Sequence, residues 1–174
     1  MVDVKLLTRG KYYLTPLRKD HLPEIEKHLS QENKRELKLL GYENIMDALE
    51  EMQEYSECYL ARKEGEPFLF VGGLWFSGGD DLPQMFAMFS DQLGSNFTAI
   101  ARGSKMLIDY LDQTNPNTTM TILSEYEHMI QWATWLGYEP VGVAANGAAK
   151  YVEFVRCKYP YESVYDDTSR PVMH

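Results

Sequence analysis

Residues 86–138, FAMFSDQLGSNFTAIARGSKMLIDYLDQTNPNTTMTILSEYEHMIQWATWLGY, carry the pattern that decides the fold. The stretch opens with an apolar strand, Phe86-Ala87-Met88-Phe89, and a short polar loop from Ser90 to Asn96. An amphipathic helix from Phe97 to Leu111, a second strand from Thr119 to Leu123 and a Trp-rich helix ending at Leu136-Gly137-Tyr138 follow. That order is a β-α-β-α unit. Parallel neighbouring strands need a crossover of about a dozen residues, and here a helix supplies it. The two strands are therefore expected side by side and parallel, with Trp132 or Trp135 buried against the sheet.

Upstream, Lys11 to Leu17 alternates as a strand does, and Arg18-Lys19-Asp20-His21 opens a helix in which Leu22, Ile25 and Leu29 recur at helical spacing. Pro23 sits in its first turn, where a missing N–H does no harm. Further helical stretches run from about Asn33 to Leu40 and from Asn44 to Tyr55, interrupted at Gly41. Glu57 to Arg62 and Pro67 to Phe76 read as strands joined by the turn Lys63-Glu64-Gly65-Glu66, a hairpin signal. Gly78-Gly79-Asp80-Asp81 turns the chain into a third strand, Leu82 to Phe89. The pair Gly72-Gly73 inside an apolar strand marks a bulge or a close backbone approach. Downstream, Glu139 to Ala144 and Ala148 to Cys157 flank Asn146-Gly147, a strong two-residue hairpin turn. The expected architecture is α+β: a mixed, mostly antiparallel sheet with one parallel crossover pair and helices on both faces. Residues 1–157 read as a single domain and 158–174 as a polar C-terminal tail without periodicity.

The chain has 174 residues, one domain's worth and enough to bury a sizeable core. Seventeen basic against 26 acidic residues give a formal charge of −9, and the acids are spread along the chain. Nucleic acid and anionic membrane both need a concentrated basic footprint, so neither is expected as a partner. Cys58 and Cys157 stand alone, without the spacing of a zinc site or a disulfide framework, which fits a reducing compartment. The N-terminus lacks an apolar signal region, and the chain reads as soluble and unprocessed.

This order of elements resembles the GNAT-type N-acyltransferase fold across roughly residues 10–157. Within it, Phe70-Val71-Gly72-Gly73-Leu74-Trp75, Phe97 to Leu111 and His128 to Tyr138 together are similar to the GNAT-like internal virion protein family of T7-like podoviruses. The wider resemblance implies acetyl-CoA as donor if transfer is retained. Its pantetheine arm would pair with the strand backbone of Met88, Phe89 and Ser90. Its pyrophosphate would meet the loop Gln92, Leu93, Gly94, Ser95 and Asn96 at a helix start. A base would take the amine proton and a Tyr commonly protonates the leaving thiolate.

The sequence departs from that pattern at the reacting centre. The loop has one glycine, begins at Asp91, meets no cation before Arg102, and puts Phe97 and Ile100 in the helix's first turn. Four residues before Gly137, where the family's Tyr commonly falls, stands Ala133; Tyr126 lies further upstream.

Other single residues read two ways. Glu57, Asp91 and His128 are candidate bases, against an ordinary surface or structural role. Glu125 and Glu127 suit the positive end of the last helix better than catalysis. Trp132 and Trp135 with Met129, Ile130 and Leu136 form an apolar stripe that belongs in a core. Cys58 and Cys157 read as small core residues.

Two functions of different class follow. One is a phage-encoded structural, internal virion or assembly component with weak or lost acyltransferase activity, located in the virion. Its partners would be other virion proteins or further copies of itself. Tyr159, Tyr161 and Tyr165 in the tail suit such an interface, since each can bury a ring and keep its hydroxyl wet. The other is an active N-acetyltransferase acting on an amine in the host cytoplasm. No metal site is expected.

Overall fold

The computed structural model describes residues 2–93 and 97–158. The sequence first makes a hairpin, β1 (Leu7–Arg9) and β2 (Tyr12–Pro16), and then three helices, α1 (Leu22–His28), α2 (Gln31–Leu39) and α3 (Ile45–Tyr55). Each new helix has a sequence reason to begin where it does. Pro23 lies in the first turn of α1. Ser30 caps α2 by accepting from the Asn33 N–H at 3.3 Å, and Asn44 caps α3 by accepting from the Met46 N–H at 3.0 Å. Strands β3 (Glu57–Lys63), β4 (Phe68–Trp75) and β5 (Gln84–Phe89) follow, then α4 (Phe97–Leu111), β6 (Asn117–Leu123) and α5 (Glu127–Trp135). A final hairpin, β7 (Glu139–Asn146) and β8 (Ala149–Cys157), turns at Gly147 with φ +60°.

The strands form one eight-stranded sheet in the order β1-β2-β3-β4-β5-β6-β8-β7. Every neighbouring pair is antiparallel except β5 and β6, which run parallel with α4 as their crossover. The mixed sheet with one parallel pair is the architecture expected from the sequence. Helices cover both faces. On one, Ile25 of α1, Leu37 of α2 and Leu49 of α3 pack on Leu60, Val71 and Met88. On the other, Met106 and Leu107 of α4 and Leu136 beyond α5 pack on Phe70, Met85 and Phe154. Period-two alternation along β5 sends Met85 to one core and Met88 to the other.

One element is new, one expectation changes and one is narrowed. The sequence pattern did not announce β1, a three-residue edge strand whose residues are mostly exposed. Trp135 is 56% exposed, because the inward face of α5 is set by Ala133 and Leu136, with Trp132, Met129 and Ile130 packed beside them. Trp132 alone of the two tryptophans packs against the core. The Gly72-Gly73 pair is not a bulge: the register of β3 against β4 shifts at Ala61 and Arg62 instead. The pair marks close packing, since a Cβ on Gly73 would stand 1.8 Å from the Glu57 carbonyl oxygen across the ladder. The tail from residue 159 onward lies outside the described residues.

Candidate functional site

The parallel pair is joined at one register position, Gln84 opposite Thr119, where the Thr119 N–H also donates to the Pro83 carbonyl at 2.9 Å. Beyond it the two strands part. A cleft of about 650 Å³ opens between them, lined by the whole run Gln84 to Ser90 on one side and Met120 to Ile122 on the other. It reaches both faces of the sheet, with Leu37 and Met52 at one side and Ile100 and Trp132 at the other. Trp132 is fixed there by its indole N–H, which donates to the buried Ser104 hydroxyl at 2.8 Å, and by an edge contact with Phe89 at 5.6 Å.

Strand alternation decides which backbone groups of β5 face this opening. The Ser90 N–H donates to the Leu69 carbonyl at 3.0 Å, so Ser90 and its even-numbered neighbours bond toward β4. Phe89, opposite Phe70, turns its N–H and C=O the other way, toward the space that β6 has left. Both groups are met by the chain's own α1–α2 corner. The Phe89 N–H donates to Asn33 Oδ1 at 2.8 Å, and the Phe89 carbonyl accepts from the Ser30 N–H at 2.9 Å. Ser30 Oγ donates to the same Asn33 oxygen at 2.8 Å, and Leu29 bridges Ser90. A buried backbone donor and acceptor must be satisfied, and here a side chain and a helix corner do what a neighbouring strand would do.

The polar lining comes mainly from α2 and the start of α5. The Glu32 carboxylate lies 3.2 Å from His128 Nε2. The Tyr126 hydroxyl donates to the Glu32 carbonyl at 3.3 Å and accepts from Arg35 at 3.4 Å, while Arg35 is ion-paired with Glu125. Glu36, one helical turn on from Glu32, is half-buried in the lining. Burial raises its pKa above the ordinary glutamate value, and a hydrogen bond from the Asn33 side chain offsets part of that. Tyr42 donates to Glu51 at 2.6 Å, and that bond, with burial, pushes the phenol up to about 12. Among the described residues that line the cleft there is no lysine or arginine.

The structure gathers some of the residues singled out in the sequence and separates others. Met88, Phe89, Ser90, Tyr126 and His128 share the cleft. Glu57 does not: it begins β3, pairs in register with Leu74 and accepts a hydrogen bond from Tyr59. Asp91 stands just past β5, 3.7 Å from His28 Nδ1, and accepts from the Gln92 side chain at 3.0 Å. The Gln92 N–H folds back on Ser90 Oγ at 3.1 Å. Gly94, Ser95 and Asn96 lie outside the described residues. Ala133 is fully buried. Glu125 is held by Arg35, and Glu127 is the first residue of α5. Cys58 is buried, which pushes its thiol up to about 12, and neither Cys58 nor Cys157 is in a disulfide. Sequence reasoning placed a helix from about Asn33 to Leu40 but missed the part played by α2, whose Glu32 and Glu36 supply the acids and whose Asn33 makes the β5 contact. Its signals were a Ser-x-x-Asn cap and two glutamates at helical i, i+4 spacing, but nothing local says which surface that face will meet.

No protein-family model and no curated protein matches this chain. Solved structures do. A putative acetyltransferase matches over 98% of this chain and 100% of its own, with TM-score 0.68 and 13% identity. A GNAT-family acetyltransferase from Bacillus anthracis matches over 87% and 97%, with TM-score 0.68 and 8% identity. The ribosomal-protein-S18-alanine N-acetyltransferase from Escherichia coli matches over 83% and 92%, with TM-score 0.63 and 12% identity. The protein has a GNAT fold. Acyl-CoA, the donor which that fold implies, is poorly suited by the residues described: the outward backbone pair of Phe89 is already bonded, and the Asp91 carboxylate stands where the chain leaves β5.

Proposed function

We propose that this protein is a GNAT-fold component of a phage particle, structural or active in assembly, in which acyl transfer is weak or lost. The observation that carries the loss is the α1–α2 corner seated on Phe89, where Asn33 and Ser30 hold the outward backbone pair of one of the positions a pantetheine arm would meet. Ala133, fully buried where the family commonly carries a Tyr, points the same way. The particle rests on the sequence resemblance to the internal virion family, with the segment 158–174 as one contact element.

Titration of acetyl-CoA into the purified full chain by calorimetry tests the first part. We expect no binding in the micromolar range; micromolar binding with turnover of an amine would overturn it. Mass spectrometry of purified particles tests the second part. The full chain should be found in them and a chain ending at residue 158 should be depleted; absence of the full chain would sink the structural role.

A second reading, an active N-acetyltransferase, is favoured by one feature. Glu36, a half-buried carboxyl whose pKa burial raises above the ordinary glutamate value, lines the parted strands where a base would stand. Loss of turnover in Glu36→Gln with folding intact would support it.

A further inference from the structure

Helix α2 bridges the cleft at the carboxyl ends of the parted strands, and it is tied to the two sides in different ways. On the β5 side the ties are buried. Asn33, 8% exposed, accepts from the Phe89 N–H at 2.8 Å, and the Ser30 N–H donates to the Phe89 carbonyl at 2.9 Å. Leu29, fully buried, anchors the chain just before them. Breaking these bonds would strand a buried donor and acceptor, so this edge holds.

On the other side α2 meets residues 125–128, which follow β6, and here the ties lie at the surface. Arg35 is ion-paired with Glu125, the Glu32 carboxylate lies 3.2 Å from His128 Nε2, and the Tyr126 hydroxyl donates to the Glu32 carbonyl at 3.3 Å. The side chains of Arg35, Glu125, Glu32 and His128 are all at least half exposed. Exposed pairs of this kind contribute little and are screened by salt. Packing adds little more. Leu37 is the one buried apolar side chain of α2, whereas α1 has Leu22 and Ile25 and α3 has Ala48, Leu49 and Met52. Beyond α2 the chain turns at Gly41, with φ +98°, and is fixed again by Tyr42, which donates to Glu51 of α3.

We propose that α2 is a strap over the cleft, hinged on Phe89 and latched to residues 125–128, and that the latched edge opens in solution to give access to the space between β5 and β6. The asymmetry of the ties carries the inference: buried bonds to backbone on one edge, solvated polar contacts on the other. A nine-residue helix with one buried apolar side chain opens locally, at a cost well below that of unfolding the sheet. Its latch is electrostatic, so salt loosens it. The strap governs access to the cleft and not acyl transfer, and it stands or falls separately from the acetyl-CoA titration.

The first test uses the unaltered full chain. Amide hydrogen exchange, corrected for the intrinsic rate of each residue, should run at least about tenfold faster in α2 than in α3. Raising salt from about 0.01 M to about 1 M, which shortens the Debye length about tenfold, should speed α2 further and leave α3 unchanged. The second test reads the cleft itself by acrylamide quenching of Trp132, which lines it, in a chain carrying Trp75→Phe and Trp135→Phe. The same rise in salt should increase quenching about twofold, and Arg35→Ala should increase it at low salt and shrink the response to salt. Equal protection of α2 and α3, or exchange in α2 indifferent to salt, overturns the proposal with no variant needed. Quenching of Trp132 that ignores both salt and Arg35→Ala overturns it as well.

Discussion

At the scale of single residues, Glu36 and Glu24 give opposite pH signatures. Burial raises the Glu36 pKa in the folded chain, so the folded state holds that proton at pH values where the unfolded chain has released it. Its contribution is full below the ordinary glutamate value and is lost as pH rises through the folded value. Glu36→Gln should therefore gain stability relative to the parent as pH rises through that window, measured by denaturant unfolding at a series of pH values. Glu24 behaves the other way. Arg62 grips it with two bonds of 2.9 and 2.6 Å, and this pair, against the opposing effect of burial, lowers the Glu24 pKa. That stability is present above the ordinary glutamate value and disappears as pH falls through the folded one. Glu24→Gln should cost roughly 1–3 kcal/mol near neutrality and leave unfolding in acid less steep in pH.

At the scale of elements, two glycines hold positions that a side chain disfavours, Gly73 by close contact and Gly137 by backbone conformation. Gly73→Ala would drive a Cβ to within 1.8 Å of the Glu57 carbonyl, backbone against backbone inside the sheet. The ladder between β3 and β4 must part there, and a loss of more than about 3 kcal/mol is expected by chemical denaturation, at the severe end for a point change. Gly137 closes α5 at φ +96°, with its N–H on the Thr134 carbonyl and the Tyr138 N–H on the Ala133 carbonyl, both at 3.0 Å. Gly137→Ala should cost about 1 kcal/mol, read as a lowered midpoint without a change of slope.

These elements were largely legible in the sequence. The helix Phe97 to Leu111 has its expected ends, and the parallel pair stands where the crossover argument put it. What escaped was either short or tertiary. A three-residue strand such as β1 has too few positions to show a period. Trp135 shares a helix with buried residues, yet its bearing on the helix axis relative to Ala133 decides its exposure. The cleft was half visible. Tyr126 and His128 stood out as residue types in an apolar helix start, but Glu36 and Asn33 acquire their meaning from Phe89, 56 positions from Asn33 along the chain. No local pattern encodes that meeting.

At the scale of the whole molecule, the single register contact between β5 and β6 divides the hydrogen-bonded sheet into β1 to β5 and β6 to β8. The same line divides the sequence, because the chain crosses it once, through α4 and the turn after it, apart from the α5 and β8 packing that closes over the seam. Backbone bonding across the line is sparse, with Thr119 to Pro83 at the single register contact, and side chains make most of the rest, among them Gln84 to Thr121 at 3.1 Å, Tyr138 to Met85 at 3.1 Å and the α2 to α5 contacts of Glu32 and Arg35. Arg156 adds a clamp from β8 to α4, reaching both Asp112 oxygens at 2.6 and 3.0 Å. Such a body is built as two blocks. Amide hydrogen exchange should resolve them, with β6 and β8 opening at lower free energy than β3 and β4, and Asp112→Asn should widen the gap; identical protection in both blocks would contradict this. Seen as engineering, the chain is then a candidate for being made in two pieces. A break in the turn at residues 113–116 leaves each block with its own strands in sequence order, and the two halves would find each other through apolar faces that neither can hide alone.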